Sequence, residues 1–402
     1  MISFNEALDF VRSIPPLGEE KVKASNALLR VLSQPVISKT DAPSVTSSLK
    51  DGYALKSDDI STAAKDSPVP LAVKGTVTAG DDTEFEIHQG EAVRIMTGAP
   101  VPPGATAILP QELTTPSGQG VISALAPSQR GRNILERGTD LRAGHLILEK
   151  DTLVTPAISG LISASGNNWV WAYKRPIVSV LATGSELAEE GAGSLQGKIF
   201  PSNRATIVSW LQTFGIECRT ALCGDDEKEL EQLLLKLFDG SDAVITSGGV
   251  LDGDRDLVIS IMERIGVKFL FKRCRIGPGK GVCMGVKGTK FIFNLPGGPP
   301  SNYLAFIFIA LPGLLRLMGR GGLFPPMERA TVLTDLKGRD DWTQLILAKS
   351  RMRGVCPLAS PVKETSRLKR IALADCVIVI PEGISRIKRG QMAEIRRLCP
   401  CW

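Results

Sequence analysis

From Pro176 onward the apolar positions of the chain follow two alternating periods. Ile177 to Leu181, Thr220 to Leu222, Ala243 to Thr246, Val267 to Phe271 and Phe291 to Leu295 are short runs of buried-strand length and character. Between them apolar residues recur at helical spacing: Ile207, Trp210, Leu211 and Phe214, then Leu230, Leu233, Leu234, Leu237 and Phe238, then Leu257, Val258, Ile261, Met262 and Ile265. Strand and helix in alternation predict a mostly parallel sheet with right-handed crossovers. Several of these strands break into glycine turns, at Thr183-Gly184-Ser185-Glu186, Ser247-Gly248-Gly249, Gly277-Pro278-Gly279-Lys280-Gly281 and Pro296-Gly297-Gly298-Pro299-Pro300.

The rest of the chain is patterned differently. Phe4 to Ile14 has helical periodicity and stops at Pro15-Pro16, and a second helix is predicted through Val22, Ala24, Leu28, Leu29 and Leu32, ending before Pro35. From Ser38 short apolar runs (Leu71 to Val73, Ala92 to Ile95, Ala107 to Leu109, Val121-Ile122) are separated by Gly, Pro, Asp and Ser, a β-rich pattern that ends near Gly144. His145 to Leu148 and the helix-like Pro156 to Ser165 return to the pattern of the first 37 residues. The expected fold class is α/β plus β. A small discontinuous N-terminal domain (1–37 and 145–175) carries an inserted β-rich domain (38–144); a doubly wound α/β domain (176–320) and a C-terminal β domain (321–402) follow, the latter containing the strand Cys376 to Ile380. The apolar run Tyr303 to Leu311 falls short of the roughly 20 residues that span a bilayer and reads as a buried helix.

At 402 residues length alone suggests roughly two to four domains. The net charge of +6 is carried beyond Gly321, where 15 Lys+Arg face 8 Asp+Glu. Arg367, Lys369, Arg370, Arg386, Lys388 and Arg389 have no aromatic residues interleaved and no nucleic-acid motif around them. They read as a solvated basic face, or one facing an anionic ligand, rather than a nucleic-acid surface. The N-terminus lacks the basic-then-apolar pattern of a signal peptide, and eight scattered cysteines fit a reducing compartment, so a cytoplasmic location is expected. With only two histidines, a His-rich zinc site or a serine triad is disfavoured, and carboxylates must carry the chemistry. The richest run, Leu251-Asp252-Gly253-Asp254-Arg255-Asp256, sits between a strand end and a helix start, where glycines and backbone N–H groups favour phosphate. Carboxylates there repel phosphate unless a divalent cation lies between, so the stretch reads as a site for a metal and a phosphorylated ligand.

Several motifs fall in the order of the MoeA-type molybdopterin molybdenumtransferases, which the chain resembles over essentially its whole length. They are Ser48-Leu49-Lys50-Asp51-Gly52-Tyr53-Ala54, Arg94-Ile95-Met96-Thr97-Gly98-Ala99-Pro100, Gly138-Thr139-Asp140, Thr183-Gly184-Ser185-Glu186-Leu187, Ser247-Gly248-Gly249-Val250 and Leu295-Pro296-Gly297-Gly298-Pro299. The resemblance implies a MogA-like α/β domain and an elongated homodimer with the site between the α/β domain of one subunit and the β-rich domain of the other. It implies adenylylated molybdopterin and molybdate (or tungstate) as substrates, a divalent cation such as Mg2+, adenylate cleavage with AMP release, and a MogA-like adenylyltransferase and molybdoenzyme apoproteins as partners, with no nucleic acid and no membrane.

By motif, Asp140, Glu186, Asp225 and Asp256 match acidic positions around metal, molybdate and pterin, with Glu186 and Asp256 at the metal, while Asp51 and Thr97 come from the β-rich domain. Gly184, Ser247, Gly248 and Gly249 match the ligand-backbone turns and Pro296 and Pro299 the pterin-side loop; of the cations expected to meet the ligand Lys280 remains, and Arg273 or Arg275 could partly substitute for the one missing at Gly277. As residues alone, Asp51 could also shape a turn, and Asp225 and Asp256 could cap helices. The chain departs from the family where Lys-Pro-Gly-Lys-Pro has become Gly277-Pro278-Gly279-Lys280-Gly281, where Ser185 replaces an aspartate, Gly298 an asparagine, Lys50 a methionine and Leu135 an arginine, and where Asp252 is added. Two further readings stay open: a non-catalytic paralogue acting as pterin carrier or scaffold, as in the related scaffold domain of gephyrin, and a generic metal-dependent phosphohydrolase.

Overall fold

The computed structural model describes residues 1–402 apart from 83, 190, 192–196, 249–256, 323–324, 355 and 399–402. Strands β1 (Ile177–Thr183), β2 (Glu217–Cys223), β3 (Ala243–Ser247), β4 (Lys268–Phe271), β5 (Cys283–Lys287) and β6 (Lys290–Leu295) form one sheet in the order β2-β1-β3-β6-β5-β4. The first four are parallel, as the alternation predicts. The far edge differs: β5 runs antiparallel to β6 and to β4, so no helix intervenes after β4. Gly285 interrupts the apolar run of β5, which hides it from a search for β-branched runs.

Both faces of this sheet are covered, and the strand sequences show why. Val178 and Val180 of β1 and Ile245 of β3 join one core with Ile207, Leu211 and Phe214 around helix α1 (Ser202–Thr213). Leu181 and Val244, one pleat out of phase, join a second core with Leu230, Leu234 and Phe238 of α2 (Glu227–Asp239) and Val258, Ile261 and Met262 of α3 (Leu257–Arg264). Helix α4 (Pro299–Leu317), which contains a π-helical turn at Phe306–Ala310, completes the first core. Its 19 residues are long and apolar enough to cross a membrane, but 83% of its 18-residue apolar window is buried inside the protein, as expected for the Tyr303 to Leu311 run.

The first helix forms at Phe4–Arg12, capped reciprocally by Ser3 and Glu6, and packs Phe4, Ala7, Leu8 and Val11 into the same core. The predicted second helix does not form. Glu19–Lys23 is instead a strand paired antiparallel with Trp169–Tyr173, followed by a 3-10 turn at Ala24–Asn26. Its residues alternate between exposed and half-buried, a period of two that the isolated Val22 could not reveal, and Leu29 at φ 61° ends any helical path.

Within the stretch read as β-rich, six strands pair in the order Ala107–Pro110, Gly52–Leu55, Glu91–Ile95, Val69–Val77, Val121–Ala124, Thr114–Gly118. Toward the C-terminus, strands Met327–Val332, Thr343–Arg353, Cys356–Pro361, Cys376–Ile380 and Met392–Arg397 close on themselves, because Thr343–Arg353 pairs with both Cys356–Pro361 and Cys376–Ile380. This barrel carries the short helix α5 (Arg367–Leu373). It is joined to the α/β sheet in two ways: Ile276–Gly277 pairs parallel with Thr343 and Gln344, and Leu345, Leu347, Val377 and Val379 belong to the core that holds α1 and α4.

Candidate functional site at the carboxyl ends of β1 and β3

Helix α1 follows β1 on one face of the sheet and α3 follows β3 on the other, so the order of the strands reverses between them. Such a reversal opens a crevice at the carboxyl ends of the strands, where open α/β sheets take ligands. A cavity of about 670 Å3 lies there, lined among others by Thr183, Glu186, Ser247, Gly248, Gly297 and Arg367. Gly248 has φ +103°, and a Cβ on it would lie 2.3 Å from the carbonyl oxygen of Thr183, so only glycine lets the two strand ends approach this closely.

Two amides, the buried Asn302 and the half-buried Asn203, fix the floor. Asn302 Nδ2 donates to Ser247 Oγ (2.9 Å) and to the Pro296 carbonyl (2.8 Å), while Asn203 Nδ2 donates to Ser247 Oγ (3.2 Å) and to the Gly297 carbonyl (2.8 Å). They tie the end of β3 to the turn after β6. Both acceptor positions of the Ser247 hydroxyl are thereby used, which leaves its proton to be donated. Thr183 Oγ1 is buried at the same cavity and has no hydrogen-bond partner among the described residues. A buried hydroxyl without a partner is unfavourable, and a ligand oxygen would satisfy it.

The Glu186 carboxylate folds over Gly184, where a Cβ would lie 2.4 Å from Oε2. Asp225 accepts from the Ser185 N–H (3.1 Å) and from its hydroxyl, so it fixes the Gly184 turn from outside. It is not the helix cap: Asp226 caps α2, accepting from Glu229 N–H at 2.8 Å. Pro299 opens α4 and lines the cavity. Arg204, buried on α1, grips Glu189 with two bonds of 3.0 and 2.6 Å at the cavity wall. The wall opposite the sheet is Ser366, Arg367 and Leu368 at the start of α5.

Other predicted residues lie elsewhere. Arg273 and Lys280 flank the Gly277 turn, held there by the Ile2 N–H on the Arg273 carbonyl (3.1 Å) and the Cys274 N–H on the Lys280 carbonyl (3.0 Å); neither lines the cavity. Arg275 faces Glu382 of the barrel at 3.4 Å. Asp51 and Thr97 lie beside the six-stranded β sheet and Asp140 beside the bridge between Ala42 and Leu141, its N–H on the Ala42 carbonyl (2.9 Å); none of the three lines the crevice in this chain. Gly249 and Asp256 lie outside the described residues, as does Asp252.

Asp51 and Thr97 form a unit of their own. Asp51 Oδ1 accepts both the backbone N–H and the hydroxyl of Thr97, each at 2.7 Å. The hydroxyl first and then the N–H hold the Asp51 carboxyl below the usual aspartate range. A depressed folded-state value adds stability that is complete above the ordinary aspartate pKa and is lost as pH falls through the Asp51 value. Thr97→Val, which keeps only the N–H, is expected to raise the Asp51 midpoint toward the ordinary value in a carboxyl NMR titration. An unmoved midpoint would show that the hydroxyl does not hold the charge.

Comparison with known proteins matches this architecture throughout. The MoeA N-terminal region (domain I and II) matches residues 2–166, and a probable molybdopterin binding domain matches residues 179–316. The structure of the MoeA protein of molybdopterin biosynthesis from Pyrococcus horikoshii superposes with a TM-score of 0.84 at 29% identity, covering 100% of both chains. The chain belongs to the MoeA family. Among MoeA relatives, a molybdopterin molybdenumtransferase of Staphylococcus epidermidis is 29% identical over 378 residues, 93% of this chain and 90% of the relative. One from Staphylococcus aureus is 27% identical over 377 residues, with the same coverage.

For a MoeA protein, the residues missed in the sequence are polar side chains that are buried or half-buried beneath the crevice. Asn302 stands just ahead of the apolar run from Tyr303, and its single polar side chain was the available signal. Asn203 and Arg204 give none, because their partners are distant in sequence, whereas Thr183 stands in the glycine turn that ends β1. The divalent cation implied by the family can be tested against the donors present. Among the described residues no three His, Cys, Asp or Glu side chains converge, and Glu186 is the carboxylate left at the cavity beside the ion-paired Glu189. That donor set fits a cation such as Mg2+, which keeps waters and takes most of its oxygens from substrate phosphate rather than from a protein cage.

Proposed function

We propose that this protein is a molybdopterin molybdenumtransferase that inserts molybdate-derived metal into adenylylated molybdopterin, with cleavage of the adenylate and release of AMP. The observation that carries this reading is a pair of hydroxyls in a crevice bounded by glycine turns and one carboxylate: Ser247, whose oxygen accepts from two amides, and Thr183, which has no partner among the described residues. Ser247 donates to a ligand oxygen while its two amide partners hold it in place. Thr183 does the same from the adjacent strand end. Gly248 admits the ligand to the backbone, and Arg367 faces the anion from the barrel side. Glu186 would hold the divalent cation, which supplies charge neutralisation at the phosphate oxygens. In this reading Asp51, Thr97 and Asp140 act from the partner subunit of a cytoplasmic homodimer, and Asp256 joins Glu186 at the metal. Arg273 and Lys280 then serve ligand approach rather than the crevice itself.

The test is to add molybdate and Mg2+ to the protein loaded with adenylylated molybdopterin and measure AMP. Release that requires both additions is expected. Binding without release would overturn the transfer reading in favour of a carrier. Hydrolysis of simple nucleotides without a pterin would make it a phosphohydrolase.

A further inference from the structure

We infer that the six-stranded β sheet carries a second anion site, a cavity that takes a small phosphate monoester with an organic body. The cavity, about 750 Å3, opens beside strand Gly52–Leu55 and shares no lining residue with the crevice of the α/β sheet. Its charge is the first argument. Lys50, Arg130 and Arg132 line it against one carboxylate, Asp58, and none of the three cationic side chains makes a hydrogen bond or ion pair among the described residues. Cations left unpaired around one hollow repel each other, and an anion between them removes that repulsion.

The second argument is rigidity. The segment that carries both arginines is pinned to the sheet by its backbone: Gly131 N–H donates to the Thr106 carbonyl (2.8 Å), Ile108 N–H to the Arg132 carbonyl (3.0 Å) and Leu49 N–H to the Asn133 carbonyl (2.9 Å). Asn133 Nδ2 adds a bond to the Ile108 carbonyl at 2.9 Å. The guanidinium groups therefore spring from fixed stems, which lowers the ordering entropy that binding must overcome. The third is an orphan. Ser128 lines the hollow, and among the described residues its buried Oγ has no hydrogen-bond partner, so a small shift of this segment would give a ligand oxygen a hydroxyl to meet.

Together these select the ligand class. Arginine forks match phosphate oxygens, and the volume is that of a small-molecule site rather than a bare-ion site. Pro110, Leu113 and Pro127 supply an apolar wall for an organic body. No aromatic side chain lines it, which disfavours a stacked nucleic-acid strand.

The test uses AMP as the probe, titrated into the full-length protein with no molybdate and no pterin, by calorimetry at low salt. Saturable binding is expected, weakened in about 0.5 M salt and competed by inorganic phosphate, with adenosine failing to bind. The Arg130→Ala/Arg132→Ala variant is expected to bind at least about tenfold more weakly, and Arg130→Lys/Arg132→Lys to fall between. Should the alanine pair fail to fold, Lys50→Ala and the lysine pair carry the comparison, each expected to weaken AMP measurably. Unchanged AMP affinity in the folded variants would overturn the inference, as would absence of AMP binding by the unaltered protein or equal binding of adenosine. No turnover is needed. A protein that binds AMP here but releases none from adenylylated molybdopterin would refute the transfer reading alone.

Discussion

Replacing Gly248 with alanine is expected to lower the unfolding free energy by about 3 kcal/mol and to abolish ligand binding at the crevice. Two penalties act together. The backbone at φ +103° is one that side chains rarely adopt, and the added methyl would sit 2.3 Å from the Thr183 carbonyl oxygen. That oxygen belongs to β1 and cannot yield as a flexible side chain would. Relief must come from moving the Ser247-Gly248 peptide, which breaks the Gly248 N–H bond to the Leu295 carbonyl (3.2 Å) and shifts the Ser247 hydroxyl off its two amides. Gly297→Ala is the matched control, since its added methyl would meet only Gly248 Cα at 3.6 Å, an ordinary contact. Urea unfolding of both variants decides the point. A Gly248→Ala protein as stable as Gly297→Ala would mean that the turn relaxes freely and that close approach is not why glycine stands there.

Glu186→Gln is expected to cut AMP release by roughly 10- to 150-fold, the equivalent of about 1.5 to 3 kcal/mol for one charge-assisted contact. The change keeps the side chain's size and its position over Gly184 while removing its charge. Because the carboxylate is assigned to a cation, the variant should also need more Mg2+ to reach half its maximal rate. Fold and stability should be nearly unaffected, since Glu186 is exposed. An unchanged Mg2+ requirement, whatever the rate, would remove Glu186 from the metal and leave the residues outside the described part of the turn to hold it.

The parts legible in the sequence share one property: their signal is local. The strands β1, β3 and β6 are apolar runs that end in glycine turns, and helix α2 repeats leucine at helical spacing, so each could be read from its own residues. Glu186 and Ser247 were reached because each stands in such a turn. What failed depended on partners far along the chain. Glu19–Lys23 is a strand because Trp169–Tyr173 pairs with it, and β5 because β4 and β6 flank it. Asn203 and Asn302 matter because they meet Ser247, and α5 because the barrel folds it over the crevice. The choice between cap and site at Asp225 turned on a single residue, since Asp226 takes the cap and frees Asp225 to hold Ser185.

The seam between the barrel and the α/β sheet governs how anything gets in or out. Leu345, Leu347, Val377 and Val379 are buried in the same apolar core as α1 and α4, and Ile276–Gly277 continues by backbone pairing onto Thr343 and Gln344. A lid swings on a joint that can be wetted, and this joint cannot be wetted without exposing the core. Helix α5 is therefore a fixed doorpost, and any movement that admits ligand falls to other parts of the lining, where Glu186, Ile199 and Phe200 are exposed. Substitutions that loosen the barrel should show up first as lost stability and only then as faster exchange of ligand.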